Sequence, residues 1–351
     1  ETFFSDFRES TDSIEEAYEF MLAYAAQGRI DEDHSSAPNI RELLMKAEII
    51  TNEGNKIQIL LKDAKTSEVN ALRRTILSDV PKMAISRVRF EMGLIEDNGE
   101  SYESINVLPD EVIAHRLAML PIPTYYDRFC FPEEDPANEG LPEDQWGSPA
   151  SQIIYHCSVR GPSKDSEEEF IVVRAGDLNV LGEVDLQIPE QYKGIPLTTV
   201  IRGQYLEFYA YAVIGRGSEH AKFIPASGVA FYQREVARLM TKGKKSKVLF
   251  DLDLTTEDGR AIDAKLFGKD GVIDDIDTVE EIRRALAHVS RGTNRDTDFD
   301  DAIVLEEVAG EFIFTYETDG ALRPEEVFNR ACEELSDRFV RISEELDMAL
   351  A

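Results

Sequence analysis

Four carboxylates near the carboxy-terminal end of the chain have a spacing that could serve metal binding. Asp296, Asp298, Asp300 and Glu307 stand at positions one, three, five and twelve of a calcium-loop pattern. Asp301 occupies the position where the sharp turn of such a loop requires glycine, and the following residues have the composition of a strand. We interpret the stretch as a solvated acidic loop. Weak calcium binding and a catalytic metal are the alternatives, which calorimetry with calcium and magnesium would test.

The cysteines and histidines do not form a metal-binding pattern. Cys130, Cys157 and Cys332 are far apart and odd in number, which indicates a reducing compartment without a disulfide framework. No two histidines have the helical spacing of a zinc site. The five histidines are His34, His115, His156, His220 and His288. No serine lies in a Gly-x-Ser-x-Gly turn. The sequence therefore predicts no catalytic residue, no metal and no cofactor.

Two adjacent arginines, Arg73 and Arg74, lie in the segment with the clearest helical pattern. The pattern predicts a helix over residues 67 to 80 that Pro81 ends, followed by a strand to Phe90. The apolar stripe of this helix, at steps of three and four, consists of Val69, Leu72, Ile76 and Val80. Guanidinium groups form forked hydrogen bonds with carboxylates and carbonyls. We interpret the pair as a docking element for a partner protein, with ordinary solvated arginines as the alternative.

The loop from Gly215 to Phe223 is the second candidate for binding. It carries two glycines and the cations Arg216 and Lys222, a composition that suggests phosphate binding. It lacks the spacing of a P-loop or of a dinucleotide fingerprint. We therefore interpret it as a turn that docks a neighbouring protein.

A strand and turn are predicted over residues 312 to 320, followed by a long helix from Pro324 to about residue 348. Apolar residues repeat along this helix for more than five turns, which is typical of a seam that packs against other helices. They are Phe328, Ala331, Leu335, Phe339, Ile342 and Leu346.

Three further segments have patterns of their own. Residues 1 to 45 predict a helical extension, with Ser13 and Glu16 as a capping box. Its apolar face consists of Ile14, Ala17, Tyr18, Met21, Tyr24 and Ala25. Residues 122 to 203 contain short β-type runs, at 153–159 and 170–174. Residues 242 to 310 hold a basic run, a predicted strand at 248–254 and a predicted helix from Thr278 that Glu281 caps.

Several of these segments resemble, in the same order, the assembly subunits of RNA polymerase. This family comprises the archaeal D-type polypeptide, the eukaryotic third-largest subunit and the bacterial alpha amino-terminal domain. Residues 70–90 resemble its first helix, and the loop from Gly215 to Phe223 is similar to the archaeal member nearly residue for residue. Further similar segments are Asp110 to Pro121, Arg174 to Leu178, Gly194 to Pro196 and the final helix. The resemblance covers roughly residues 46–235 and 311–348.

The resemblance implies an α+β fold with a split dimerisation domain, in which two packed helices lie on a sheet. It implies dimerisation-domain parts at 46–121, 204–241 and 311–351, an inserted β-rich domain at 122–203 and an extra α+β domain at 242–310. Residues 1–45 form a helical extension outside the resemblance, and its role stays open.

The resemblance also implies sites. The expected partner-binding residues are Asn70, Arg73, Arg74, Arg216, His220 and Lys222. Arg74 is expected to face the second-largest polymerase subunit. The expected dimer seam consists of Leu72, Ile76, Phe328, Ala331, Leu335, Phe339 and Ile342. The expected partners are a small L-like subunit and the second-largest and largest subunits, with DNA contacted only through the complex.

The sequence departs from the family pattern in its metal ligands. In many archaeal relatives the 242–310 region carries cysteine ligands for iron–sulfur clusters, and here it contains no cysteine. Eukaryotic relatives have a zinc-binding cysteine cluster in the inserted domain, and here only Cys130 lies near the corresponding loop. We expect neither an iron–sulfur cluster nor zinc.

The formal charge of −31 argues against broad, direct contact with nucleic acid, because such a surface repels phosphate. No apolar run of membrane-spanning length and no secretory signal are visible, so we expect a cytoplasmic protein without membrane contact.

The preferred hypothesis is a noncatalytic assembly subunit of a DNA-directed RNA polymerase. The alternative is a free-standing acidic regulatory or nucleic-acid-mimic protein, which copurification with polymerase subunits would contradict.

Overall fold

The computed structural model describes residues 45–97, 99–104, 108–142, 145–240, 255–256, 259–260, 262, 266–290 and 302–350. Within them the chain is a mixture of helices and antiparallel sheets, which confirms the predicted α+β class. The helices are α1 (Thr66–Ser78), α2 (Asp110–Ala118), α3 (Ile276–Ser290) and α4 (Pro324–Leu350). The strands are β1 (Lys46–Glu53), β2 (Lys56–Lys62), β3 (Pro81–Phe90), β4 (Leu94–Asp97), β5 (Glu100–Glu103), β6 (Gln152–Arg160), β7 (Phe170–Arg174), β8 (Asn179–Val180), β9 (Pro196–Ile201), β10 (Tyr205–Arg216), β11 (Ala226–Leu239), β12 (Val272–Ile273) and β13 (Ile303–Thr318).

The first core lies between helices α1 and α4 and a five-stranded sheet. The strands of this sheet are antiparallel and have the order β1-β2-β13-β11-β12. Alternate residues of β2 and β13 face the helices, because side chains along a strand point to opposite faces in turn. The buried residues of this core include Ile59, Leu61, Val69, Leu72, Ile76, Phe314, Val327, Phe328 and Ala331. The two helices predicted from sequence therefore pack on one sheet.

Helix α1 begins and ends where local chemistry dictates. The backbone N–H of Lys65 donates to the Glu68 carboxylate at 2.9 Å, which satisfies a donor at the helix start. The helix ends at Ser78, two residues before the predicted end. Pro81 then opens β3, since proline cannot continue the helical hydrogen-bond ladder.

The second core lies under a four-stranded sheet with the order β3-β10-β6-β8. Strand β10 pairs with β3 on one side and with β6 on the other. This sheet therefore draws β6 from the predicted inserted domain and β3 and β10 from the segments on either side of it. Helix α2 and the two-stranded sheet of β7 and β9 complete the packing, with Ile113, Leu117, Val173 and Val200 buried.

The third core is built on the ends of β11 and β13. Ala237 of β11 and Ile303 of β13 are buried there with Ile273 of β12 and Val279 and Ile282 of α3. The predicted boundary between residues 310 and 311 falls inside β13, which continues from the third core into the first.

Helix α3 begins at Ile276, and the predicted start at Thr278 is wrong. The Asp275 carboxylate accepts hydrogen bonds from the backbone N–H of Thr278 at 3.0 Å and from its hydroxyl. Asp275 is therefore the capping residue, and its pKa is lowered by these hydrogen bonds. The predicted strand at 248–254, the basic run before it and the extension at 1–44 lie outside the described residues.

The first two cores are joined by buried polar contacts. The Lys82 ammonium, at the start of β3, pairs with the Asp319 carboxylate after β13 and donates to the Ile224 carbonyl at 3.2 Å. The Tyr126 hydroxyl donates to the Pro81 carbonyl at 2.6 Å. Buried polar groups need such partners, so these contacts fix the two sheets relative to each other.

Among the described helices, none combines the length and hydropathy that a membrane span needs.

Candidate docking site on the paired helices

Helix α1 presents one arginine to solvent and holds the other against its own surface. Arg73 is half-buried, and its Nε donates to the Asn70 amide oxygen at 3.1 Å. Arg74 is exposed, and no described residue pairs with its guanidinium group. Because Leu72 and Ile76 are fully buried beneath them, the arginines stand on a rigid support. Arg74 is thus available to a carboxylate or carbonyl of another protein.

Arg216, at the end of β10, binds within the chain. Its Nη1 donates to the Asp79 carbonyl at the end of α1 and pairs with Glu334 Oε2 of α4 at 2.6 Å. Its guanidinium carbon lies 4.8 Å from the centre of the Phe131 ring. This predicted partner-binding residue therefore connects α1, α4 and the second core.

Glu334 is the centre of a charged network that was not predicted from the sequence. Its other oxygen pairs with Arg330 at 2.8 Å, and its side chain is only 9% exposed. One turn further along α4, Arg338 pairs with Asp79 Oδ1 at 2.6 Å. Arg330, Glu334 and Arg338 follow one another at helical steps of four. That spacing could have indicated a row of ion pairs from the sequence alone, because it places alternating charges on one face of α4.

We expect Glu334→Gln to lower the free energy of unfolding by about 1–3 kcal/mol. The change leaves Arg216 and Arg330, both mostly buried, without their carboxylate. Urea denaturation would measure the loss. The matched control is Glu333→Gln, since within the described residues Glu333 has an ion pair with Arg330 alone and its side chain is 44% exposed. If the two changes lowered the free energy of unfolding equally, the charged network around Glu334 would not stabilise the fold as we expect.

The loop from Gly215 to Phe223 packs closely on α1. A Cβ atom on Gly217 would lie 2.1 Å from the Leu77 carbonyl oxygen, and the Ser218 backbone N–H donates to the Ser78 carbonyl at 2.9 Å. A Cβ atom on Gly215 would meet the Phe223 ring at 2.5 Å. The two glycines are therefore required for close packing, which explains their presence without a bound phosphate.

The remaining polar groups of this loop lie at its surface. His220 is exposed, and its Nδ1 accepts a hydrogen bond from the Lys222 backbone N–H at 3.1 Å. The Lys222 ammonium lies 4.9 Å from the centre of the Phe223 ring, and partial burial lowers its pKa. The loop thus offers a histidine and a half-buried cation next to the end of α1.

The predicted dimer seam divides into two groups. Four of its residues are fully buried in the first core: Leu72, Ile76, Phe328 and Ala331. Leu335 is half-buried and packs against that core. Phe339 and Ile342, by contrast, are 55% and 48% exposed. We call Leu335, Phe339 and Ile342 the α4 strip; it continues the buried seam into solvent. The side chain of Leu346 lies outside the described residues.

The structure gives no support to a metal centre within the residues it describes, where no group of three His, Cys, Asp or Glu side chains is close enough to hold an ion. Asp296, Asp298 and Asp300 lie outside those residues. Glu307 lies in β13, opposite Glu235 of β11. Burial raises the pKa of Cys157 to about 12, so this thiol is protonated at neutral pH.

Comparison with known proteins places these features in a family. The profile of the RNA polymerase Rpb3/Rpb11 dimerisation domain matches residues 58–339. The DNA-directed RNA polymerase subunit Rpo3 of Thermococcus kodakarensis is 30% identical over 302 residues, which cover 85% of this chain and 97% of the relative. Rpo3 of Archaeoglobus fulgidus is 30% identical over 300 residues, 84% of this chain and 96% of the relative. The Dictyostelium discoideum RNA polymerase II subunit rpb3 is 26% identical over 281 residues, 80% of this chain and 87% of the relative.

Proposed function

The chain belongs to the family of the RNA polymerase Rpb3/Rpb11 dimerisation domain, and we propose that it is a noncatalytic assembly subunit of a DNA-directed RNA polymerase. In this proposal it forms a heterodimer with a small L-like subunit. The heterodimer then binds the second-largest and largest subunits, which carry the nucleotidyl-transfer chemistry. DNA is contacted only through the complex.

The observation that carries the proposal is the exposed α4 strip. Phe339 and Ile342 are large apolar side chains three residues apart on one helix, directly beyond a buried helix pair. Isolated apolar residues are common on protein surfaces, but a strip that continues a helical seam is suited to burial by a partner helix. The helices also have a fixed orientation, because Arg216 and Arg338 connect α4 to the end of α1.

Coexpression with a small L-like subunit tests the heterodimer. We expect a stoichiometric complex in size-exclusion chromatography, and copurification of the large subunits when they are added. A chain that stays monomeric with the small subunit present, and instead binds basic histone-like proteins, would support the free-standing acidic alternative. The net charge of −31 is the observation behind that alternative.

The large subunits are proposed to bind on the side of α1 that carries the arginines, next to the loop from Gly215 to Phe223. On this helix and loop Arg74 and His220 are exposed, and Asn70, Arg73 and Lys222 are half-buried. Arg216 contributes in this proposal by holding the loop against α1 and α4.

Replacing Arg74 with alanine should weaken capture of the second-largest subunit and leave the small heterodimer intact. The side chain lies off the buried stripe, so its loss does not affect the packing of α1. An arginine lost from a buried, hydrogen-bonded interface pair costs on the order of 2–5 kcal/mol. Reconstitution followed by size-exclusion chromatography would show the loss.

Arg202→Ala is the control for this change, because Arg202 is an exposed arginine on the loop after β9. If Arg74→Ala released the small partner instead, or if both variants captured the second-largest subunit equally well, the assignment of this face would be wrong.

A further inference from the structure

The small sheet of β7 and β9 has two edges, and the edge on β9 is closed by hydrogen bonds from the chain itself. The Leu197 carbonyl accepts a hydrogen bond from Arg116 Nη1 of α2 at 2.5 Å. At the other end of β9 the Ile201 N–H donates to Gln204 Oε1 at 3.1 Å. Backbone groups that are bonded in this way are not available to a further strand.

The edge on β7 is open. In an antiparallel pair, alternate residues direct their N–H and C=O groups toward the partner strand and away from it. The Ile201 N–H is already bonded, so Ile201 and its partner Phe170 do not exchange hydrogen bonds, and the backbone groups of Phe170 and Val172 point away from β9. Among the described residues, none forms a hydrogen bond with these outward groups. The next outward N–H, that of Arg174, donates to Asp177 Oδ2 at 2.7 Å.

The edge strand β1 of the five-stranded sheet shows the protection that β7 lacks. It carries Lys46, Glu48 and Glu53, and its register is irregular after Ile49. Charges and bulges of this kind keep a sheet edge from pairing with other chains. Residues 170–173 of β7 read Phe-Ile-Val-Val, without a charge and with regular pairing. Such residues favour a strand, so this edge is suited to accept one more.

An exposed apolar face lies beside the open edge. Phe170 and Ile201 are cross-strand partners and are 54% and 45% exposed. Val172 lies on the same face and is half-buried, because side chains along a strand alternate between faces. Ile171 and Val173 point the other way and pack in the second core. A strand added to β7 would therefore cover this face if every second residue were apolar.

The charge beside the open edge is negative. Glu167, Glu168 and Glu169 directly precede Phe170 and are exposed. Arg202 donates to the Glu168 carbonyl at 3.3 Å, and within the described chain none of the three carboxylates has an ion pair. The net charge of −31 acts in the same direction. The electrostatics of this edge therefore attract a cationic segment and repel an acidic one.

We propose that the edge of β7 binds an extended, cationic segment of another protein, which joins the sheet as an antiparallel strand. Main-chain hydrogen bonds to Phe170 and Val172 provide affinity, and alternate apolar side chains cover the exposed face. Lysines or arginines at the carboxy-terminal end of the segment pair with the glutamates at 167–169. The edge is separate from the α4 strip and from the arginines of α1, so this proposal and the proposed function can fail independently.

A labelled synthetic peptide, Thr-Val-Thr-Val-Thr-Lys-Lys-Lys, tests the proposal by fluorescence anisotropy with the full chain. Val172→Pro should lower its affinity about tenfold or more, because proline removes an outward N–H that the peptide needs. Thr199→Pro is the matched control. Thr199 is the partner of Val172, and its N–H lies on the opposite edge of the sheet, so we expect unchanged affinity. Thermal midpoints of both variants show whether the fold is retained.

Charge variants keep the test independent of the backbone. Replacing the three glutamates at 167–169 with glutamine should lower the affinity for the peptide about tenfold and reduce its dependence on salt. The same change at Glu133, Glu134 and Glu139 removes as much charge from exposed positions of the same domain and should have little effect. A peptide that ends in glutamates instead of lysines should not bind.

Hydrogen exchange identifies the bound edge directly. The peptide should slow exchange of the Phe170 and Val172 amides and leave that of Thr199 unchanged. Absence of peptide binding, protection of another strand, or equal losses from the two sets of glutamates would overturn the proposal. Dimers of the chain that Val172→Pro disrupts would identify a second copy as the occupant, and that result would overturn it as well.

Discussion

Replacing Phe339 with aspartate is expected to abolish the heterodimer while leaving the fold of the chain intact. Phe339 is 55% exposed, so in the free chain the new carboxylate stays in water. In the proposed complex the α4 strip is covered by the partner, and the carboxylate would be buried without a counter-ion. Burial of an unpaired charge costs several kcal/mol, so we expect affinity to fall by about a hundredfold or more.

Coexpression and size-exclusion chromatography would measure this loss, and thermal denaturation of the free chain would show an unchanged midpoint. Asp337→Ala is the matched control, because Asp337 is exposed on the same helix and outside the α4 strip. Retention of the small partner by Phe339→Asp would show that the strip is not the interface.

Phe328→Ala, unlike Phe339→Asp, should destabilise the fold of the free chain. Phe328 is fully buried between α4 and the sheet, with its ring centre 6.4 Å from that of Phe314. Truncation of a buried phenylalanine leaves a cavity and typically costs about 3–5 kcal/mol. Denaturation in urea would measure the change in unfolding free energy.

Phe339→Ala serves as the control on the same helix and should change the stability of the free chain by less than about 0.5 kcal/mol. A small effect of Phe328→Ala would contradict the packing of α4 on the first core. Leu335 is less informative than either residue, since it is half-buried against that core and also lies at the start of the α4 strip. An aspartate there would disturb fold and interface together.

The contrast between Phe328 and Phe339 shows what helical periodicity can and cannot predict. The three- and four-residue steps correctly predicted α4 and, in α1, the buried Val69, Leu72 and Ile76, because an amphipathic helix must bury one face. Val80 of the predicted stripe is also buried but lies beyond the end of the helix. Periodicity does not reveal whether that face is buried within the chain or by a partner. The division of the predicted seam into buried and exposed groups required the packing of α4 on β13.

The contacts of Arg216 could not be predicted for a different reason. Its two partners, Asp79 and Glu334, are 137 and 118 residues away in sequence. The pairing of β10 with β3 and the packing of α4 beside α1 together bring the three residues into contact. The contacts of Arg89 and His156 with Tyr209 likewise depend on the register of three strands, and register is set by the sheet as a whole.

The start of α3 was misplaced because similar capping residues recur close together. Asp275 and Thr278 are both residue types that favour a helix start, and Thr278 is the one followed three residues later by a glutamate, Glu281. In the structure Asp275 caps the helix. The helix therefore includes Val279 and Ile282, whose side chains are buried in the third core.

The antiparallel pair of long strands β11 and β13 has a consequence for protein engineering. These strands have 14 and 16 residues, so the pair extends for about 45 Å, with the helix pair at one end and the third core at the other. Such a ribbon serves as a spacer, because whatever is attached at its far end is held at a set distance from α1 and α4. A fluorophore or fusion partner joined near α3 would therefore report on the proposed subunit assembly without touching the α4 strip or the arginines of α1.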